Sequence, residues 1–157
     1  MTHFDHHRFR LAMVCILTAA SMATASEPGR GMTPLDLARI QHMSAARISP
    51  DGSNIAAVRV VPRELFDEPD GKAWKELYLI DTSDGTARPF VTGDVEVEAV
   101  DWRPDGAAIS FLATRGDDDH QKLYVIAVDG GEARPVLSLG TSAVAYDWSP
   151  DGQRVAV

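Results

Sequence analysis

Three copies of one tight turn constrain this chain more than any other feature. They are Ile48-Ser49-Pro50-Asp51-Gly52, Trp102-Arg103-Pro104-Asp105-Gly106 and Trp148-Ser149-Pro150-Asp151-Gly152. Proline presets φ at the second turn position, aspartate suits the third, and glycine takes the left-handed conformation that closes the turn. Each copy opens on an aromatic or apolar residue and precedes a run rich in apolar residues: Ile55 to Val58, Ala107 to Ala113, and Arg154 to Val157. That pattern describes a β-hairpin. A hairpin recurring every forty to fifty-odd residues predicts a repeat architecture.

The spacing fixes the register of the repeat. Tyr78 to Pro104 and Tyr124 to Pro150 are both 26 positions, and Gly85 and Gly131 each fall seven after their tyrosine. Arg88-Pro89 and Arg134-Pro135 begin ten positions after it. Gly52 to Tyr78, however, is 26 positions and Gly106 to Tyr124 only 18. The eight residues separating the 54- and 46-residue periods therefore lie between the second and third strands of the unit. Length variation confined to one loop is what stacked radial repeats tolerate.

Strands are expected over 45–49, 54–61, 76–81 and 86–91, and again over 95–102, 107–114, 122–128 and 133–139. Four short antiparallel strands per unit define the fold class as all-β, a partial β-propeller of four-stranded blades. The expected boundaries are blade 1 at about 45–92, blade 2 at about 95–139 and the start of blade 3 at about 143–157. Two blades and one opening hairpin fall short of the usual four to eight, so the chain is expected to be a portion of a longer propeller, poorly stable alone.

Before the repeats, residues 1–25 read as a secretory signal. Arg8 and Arg10 form a positive start, Leu11 to Leu17 an apolar core, and Ala23-Thr24-Ala25 a small-x-small cleavage site. The apolar run is shorter than the roughly 20 residues a membrane-spanning helix needs. His3, His6 and His7 cluster like metal ligands but would leave with the signal, as would Cys15, whose surroundings do not suit a lipid anchor. Cleavage would remove Arg8, Arg10 and Asp5 from 15 basic and 23 acidic side chains, leaving 13 and 22 and no cysteine. An exported chain without disulfides relies on its core. Residues 26–44 form a linker and short helix, with Thr33 as N-cap, Pro34 at the first position and Asp36 reaching back to free amides. The helix is expected at about 34–43, with Leu37, Ile40 and Met43 on a face that packs against the blades.

No catalytic, cofactor or metal residue is assigned, although several candidates were weighed. Gly140-Thr141-Ser142-Ala143-Val144 approaches the Gly-x-Ser-x-Gly nucleophile elbow but lacks the last glycine. Ser142 also precedes an expected strand where the elbow needs a helix. Asp117-Asp118-Asp119-His120 offers oxygen ligands for calcium without the alternation of a known binding loop. Glu64, Asp67, Glu68 and Asp70 line the longer first-blade loop, within reach of a substrate or neighbouring domain, or simply solvated. His42 and Arg47 have no partner identifiable from spacing. Asp51, Asp105 and Asp151 recur with their turns and read as caps for the turn amides. Trp102 and Trp148 read as rings filling the space between blades, with ligand stacking as the alternative. The formal net charge of −8 argues against a nucleic-acid partner.

Trp-Ser-Pro-Asp-Gly, Leu-Tyr-x-Ile and Asp-Gly-Gly-Glu-Ala-Arg-Pro (residues 129–135) resemble the propeller repeats shared by TolB-type proteins and the prolyl oligopeptidase family of serine peptidases. The resemblance covers residues 32–157. Met32-Thr33-Pro34-Leu35-Asp36-Leu37, entering the first blade directly, looks like a dipeptidyl- or acylaminoacyl-peptidase-like member. The peptidase resemblance implies that the propeller limits access of peptide substrates to a Ser-Asp-His triad in a following α/β-hydrolase domain, lying beyond this chain. The chain itself would then be inactive, exported to the periplasm or outside the cell, free of cofactor and not held to the membrane after cleavage, and a homo-oligomer stays open. A non-catalytic TolB-like propeller binding protein partners in the cell envelope is the alternative. A small-molecule hydrolase with a metal site in the propeller channel is a third reading, for which the ligands are not evident.

Overall fold

In each repeat the strands run down, up, down and up, so that one four-stranded sheet is complete before the next begins. The computed structural model describes residues 31–115, 118–137 and 139–157. The signal segment and its histidines and cysteine, most of the linker, and Asp117 lie outside the described residues. The first sheet is β1 (His42–Ile48), β2 (Asn54–Val61), β3 (Trp74–Asp81) and β4 (Ala87–Val91), antiparallel in that order. The second is β5 (Glu98–Trp102), β6 (Ala108–Ala113), β7 (Lys122–Ala127) and β8 (Arg134–Leu137). A two-stranded hairpin, β9 (Asp147–Trp148) with β10 (Val155–Ala156), opens the third. The fold is a partial β-propeller of two blades and the start of another.

The repeat holds at the level of individual pairs. Tyr78 faces Pro89 and Tyr124 faces Pro135, and both sheets carry a register shift beside that tyrosine. The prolines sit on the last strand of each sheet, where a missing N–H removes no inner ladder bond. Gly52, Gly106 and Gly152 have φ of 75°, 71° and 64°, the left-handed region the turns require.

The core lies between the sheets. Ala56, Val58, Leu77 and Leu79 from the first meet Val100, Trp102, Ile109 and Phe111 from the second. Leu112 and Leu123 pack with Ala143 against the third hairpin, joined by Tyr146 and Val155. β6 is therefore buried along its whole length, having a neighbour on both faces.

The short helix α1 (Pro34–Ala38) has the expected N-terminus. Thr33 Oγ1 accepts from Asp36 N at 3.2 Å, and Asp36 Oδ2 accepts from Thr33 N at 2.8 Å. It ends earlier than periodicity suggests, because His42 and Met43 pair with Val60 and Arg59 in the sheet. The expected packing face is not buried: Leu37, Ile40 and Met43 are 57%, 50% and 50% exposed. The last inner strand is also shorter than expected. Residues 143–146 form no strand, and Ala143 is held by Gln121 O instead, at 3.0 Å.

Candidate functional site

Adjacent sheets are joined by backbone and side-chain bonds that repeat 46 residues apart. Val97 N donates to Lys75 O at 2.9 Å, and its counterpart Ala143 N donates to Gln121 O at 3.0 Å. Each bond ties the chain entering one blade to the start of the third strand in the blade before it. Above the first of these bonds, Lys75 Nζ donates to Glu98 Oε1 at 2.5 Å and lies 3.5 Å from Glu96. Gln121 Nε2 donates to Glu98 Oε2 at 3.1 Å. The bond from Lys75, then that from Gln121, holds the Glu98 carboxyl below the usual carboxylate range, and Glu98 in turn raises the Lys75 ammonium. Both groups stay charged near neutrality.

Lys75 and Glu98 of this cluster line one side of a cleft of about 350 Å³ between β1 and β5, with Gln121 behind them holding Glu98. Its floor is Ala45, Val58, Val97 and Leu112, and Val144 stands at its edge, 86% exposed. Two irregularities shape it. The β1–β2 ladder slips between Met43 and Ala45, leaving Ser44 facing the cleft with its hydroxyl 3.5 Å from Val58 O. The β5–β6 ladder slips between Glu98 and Asp101, and Ala99 there has φ of 45°. Bulges re-aim side chains next to binding sites. With an apolar floor and a fixed lysine–carboxylate pair at its side, the cleft can accept an extended chain or polar group by hydrogen bonding.

The weighed candidates fall into different places. Asp51, Asp105 and Asp151 cap their turns: Ser53 N, Ala107 N and Gln153 N donate to them at 3.0, 3.0 and 3.1 Å. The Ser49 hydroxyl and Ser53 hold the Asp51 carboxyl down at about 2, and Arg103 does the same for Asp105. Ser142 Oγ accepts from Gln121 N at 3.3 Å and belongs to the seam. Asp118 accepts from Lys122 and from the Tyr124 hydroxyl, closing its own loop. Among the described residues no group of three or more His, Cys, Asp or Glu is placed to hold a metal ion. Glu68 binds Trp74 Nε1 at 3.0 Å and Glu64 N at 2.6 Å, so it organises the loop it sits on. His42 lies exposed at the start of β1.

The tryptophans do more than fill space. Trp102 Nε1 donates to Arg47 O in the preceding blade at 2.9 Å. Trp148 Nε1 donates to Ser110 Oγ at 2.9 Å, and Ser110 Oγ donates to Asp101 O at 3.2 Å. Arg47 and Asp101 are repeat equivalents, as are Ala56 and Ser110. The indole thus reaches the same carbonyl directly where the neighbour is alanine, and through a hydroxyl where it is serine. The backbone role of Arg47 and the Lys75–Glu98–Gln121 cluster were not anticipated. The 46-residue spacings of Lys75 to Gln121 and Glu96 to Ser142 were the available signal.

No family model matches the sequence, and no curated protein does. Among solved structures, the fold is similar to a protein assigned as TolB from Agrobacterium tumefaciens. The likeness has a TM-score of 0.55 at 21% sequence identity and covers 69% of this chain. The chain spans about a third (35%) of that protein's length. The fold is that of a TolB-like propeller. Among the described residues no helix is long and apolar enough to cross a membrane.

Proposed function

We propose that the chain is a protein-binding propeller segment of the cell envelope, exported by residues 1–25 and engaging a polypeptide partner through the cleft between β1 and β5. The observation that carries this reading is the cleft itself: an apolar floor, two strand irregularities opening onto it, and a Lys75–Glu98 pair at its side that Gln121 holds in place from behind. Preorganised polar groups beside apolar area favour binding, because little side-chain freedom is lost on association. The TolB-like fold is consistent with it.

A second reading is the propeller of a prolyl oligopeptidase-type serine peptidase. It is favoured by one observation, the capped helix α1 entering β1 after three intervening residues. On that reading the nucleophile lies in another domain of the complete protein, and this chain restricts which peptides reach it.

One experiment separates the two. The complete product of the reading frame, expressed in its host with a photo-crosslinking phenylalanine analogue at Val144, is expected to form a discrete adduct with another polypeptide. The same probe at Asp84, in the β3–β4 turn, should not. A fluorophosphonate serine probe should leave the active preparation unlabelled. Labelling, together with no adduct from Val144, would overturn the binding reading in favour of the peptidase.

A further inference from the structure

The first-blade loop between β2 and β3 is a rigid mount for one exposed aromatic ring. Phe66 is 99% exposed and has φ of 75°. That conformation is disfavoured for a bulky residue with a Cβ, and the exposed ring gains no burial in return. The loop around it is not slack. Arg63 stacks 3.9 Å from the Trp74 ring centroid and donates to Lys72 O at 2.8 Å. Glu68 N donates to Glu64 O at 3.1 Å, while the Glu68 carboxylate accepts from Glu64 N and Trp74 Nε1. Gly71 lies beneath Arg63, and a Cβ there would come within 2.9 Å of the guanidinium and shift it from its place.

Other apolar groups lie beside the ring. Leu65 is 46% exposed, and an ion pair of 3.5 Å between Arg39 and Glu64 brings the loop next to the end of α1. There Leu37 and Ile40 are 57% and 50% exposed. The ion pair thus brings together two segments that each expose apolar side chains, and clustered exposed apolar surface marks interaction sites. The second blade has no counterpart, because its equivalent loop is eight residues shorter.

We infer that the Leu65–Phe66 tip is a docking knob for a second, different protein that offers an apolar pocket edged by lysine or arginine. Charge selects this occupant. Glu64, Asp67, Glu68 and Asp70 flank the tip in sequence; of the nearby cations, Arg63 is turned inward onto Trp74, Arg39 is paired with Glu64, and Lys72 lies 3.6 Å from Glu96. An acidic collar repels an anionic lipid surface, and two copies of it repel each other in a chain of net charge −8. A basic-edged pocket is attracted. The loop that carries the ring is already held by its own bonds, so docking orders little backbone that is not ordered beforehand. The inference rests on the protein-binding reading above but concerns a different surface from the cleft.

The test is site-specific crosslinking in the host, with the photoreactive phenylalanine analogue at position 66 of the complete protein, compared with Val144 and Asp84. A single heteromeric adduct from position 66 is expected. Titration of that purified partner should weaken about tenfold or more with Phe66→Ala, as for an aromatic anchor. It should also weaken with Asp67→Lys and with rising salt. Phe66→Gly should weaken binding at least as much as Phe66→Ala with no fall in thermal midpoint, since glycine accepts the backbone conformation; a fall would assign the ring a structural role and overturn the proposal. Adducts only to lipid, only to a second copy, or only within the chain would also overturn it. An adduct from Val144 with none from position 66 would sink the knob and leave the cleft reading intact.

Discussion

The indole of Trp102 hydrogen-bonds the carbonyl of Arg47 at 2.9 Å, fifty-five residues earlier and in the preceding blade. The ring is 5% exposed, so this bond satisfies a donor that packing has taken from water. Trp102→Phe keeps most of the apolar contact and leaves the carbonyl short of a partner. It is expected to cost about 1–2 kcal/mol. Trp102→Ala, which also leaves a cavity, should cost about 3–5 kcal/mol. Urea unfolding followed by circular dichroism would order the two, and a Trp102→Phe variant as stable as the parent would show that the bond contributes nothing.

Ser110 is the second point to probe. Its hydroxyl accepts from Trp148 Nε1 and Tyr146 Oη, both at 2.9 Å, in a position with no exposure. Ser110→Ala reproduces the alanine that the first blade carries at Ala56. Trp148 can then approach the Asp101 carbonyl, but Tyr146 loses its acceptor, and a loss of about 1–3 kcal/mol is expected. A double-mutant cycle with Tyr146→Phe should show coupling between the two sites. Strict additivity would mean the tyrosine never depended on the serine.

Turn glycines allow a comparison across three repeats. Gly52, Gly106 and Gly152 share a left-handed φ, and a Cβ would meet nothing at the first, Pro50 at 3.7 Å at the second and Pro104 at 3.5 Å at the third. These are ordinary contact distances, so backbone conformation alone sets the cost. Each Gly→Ala change is expected to destabilise by about 1–2 kcal/mol, similar at all three sites. A much larger loss at Gly152 than at Gly52 would mean that the contact with Pro104 dominates.

Acid should loosen the turns within a defined window. Asp51 and Asp105 are held down at about 2 against an ordinary aspartate value of 3.8, the first mainly through the Ser49 hydroxyl and the second through Arg103. Depressed folded values stabilise the native state above the unfolded pKa and lose that contribution as pH falls through the folded one. Stability should therefore be flat down to about pH 4 and decline from there toward about pH 2. Asp51→Asn should lower stability near neutrality and make the decline shallower. An unchanged slope in that variant would remove Asp51 as a source of the acid response.

The blades were readable from sequence because their signals are local and repeated. Pro-Asp-Gly defines a turn within five residues, and the Tyr78 and Tyr124 registers follow from counting. What escaped was decided by distant partners. Ile40 and Met43 have helical spacing, yet His42 and Met43 are drawn into pairing with Val60 and Arg59, which no local preference reveals. Lys75, Glu98 and Gln121 look like ordinary surface residues until two blades are set side by side. The unusual φ of Phe66 has no composition signal, since glycine would be expected there.

The indole bonds also make each blade depend on the one that follows it. The Arg47 carbonyl of the first blade is met by Trp102 of the second, and the Ser110 hydroxyl of the second receives Trp148 of the third. The clasp on a blade therefore lies in the sequence of its successor, and a change at either tryptophan is felt in the blade before it.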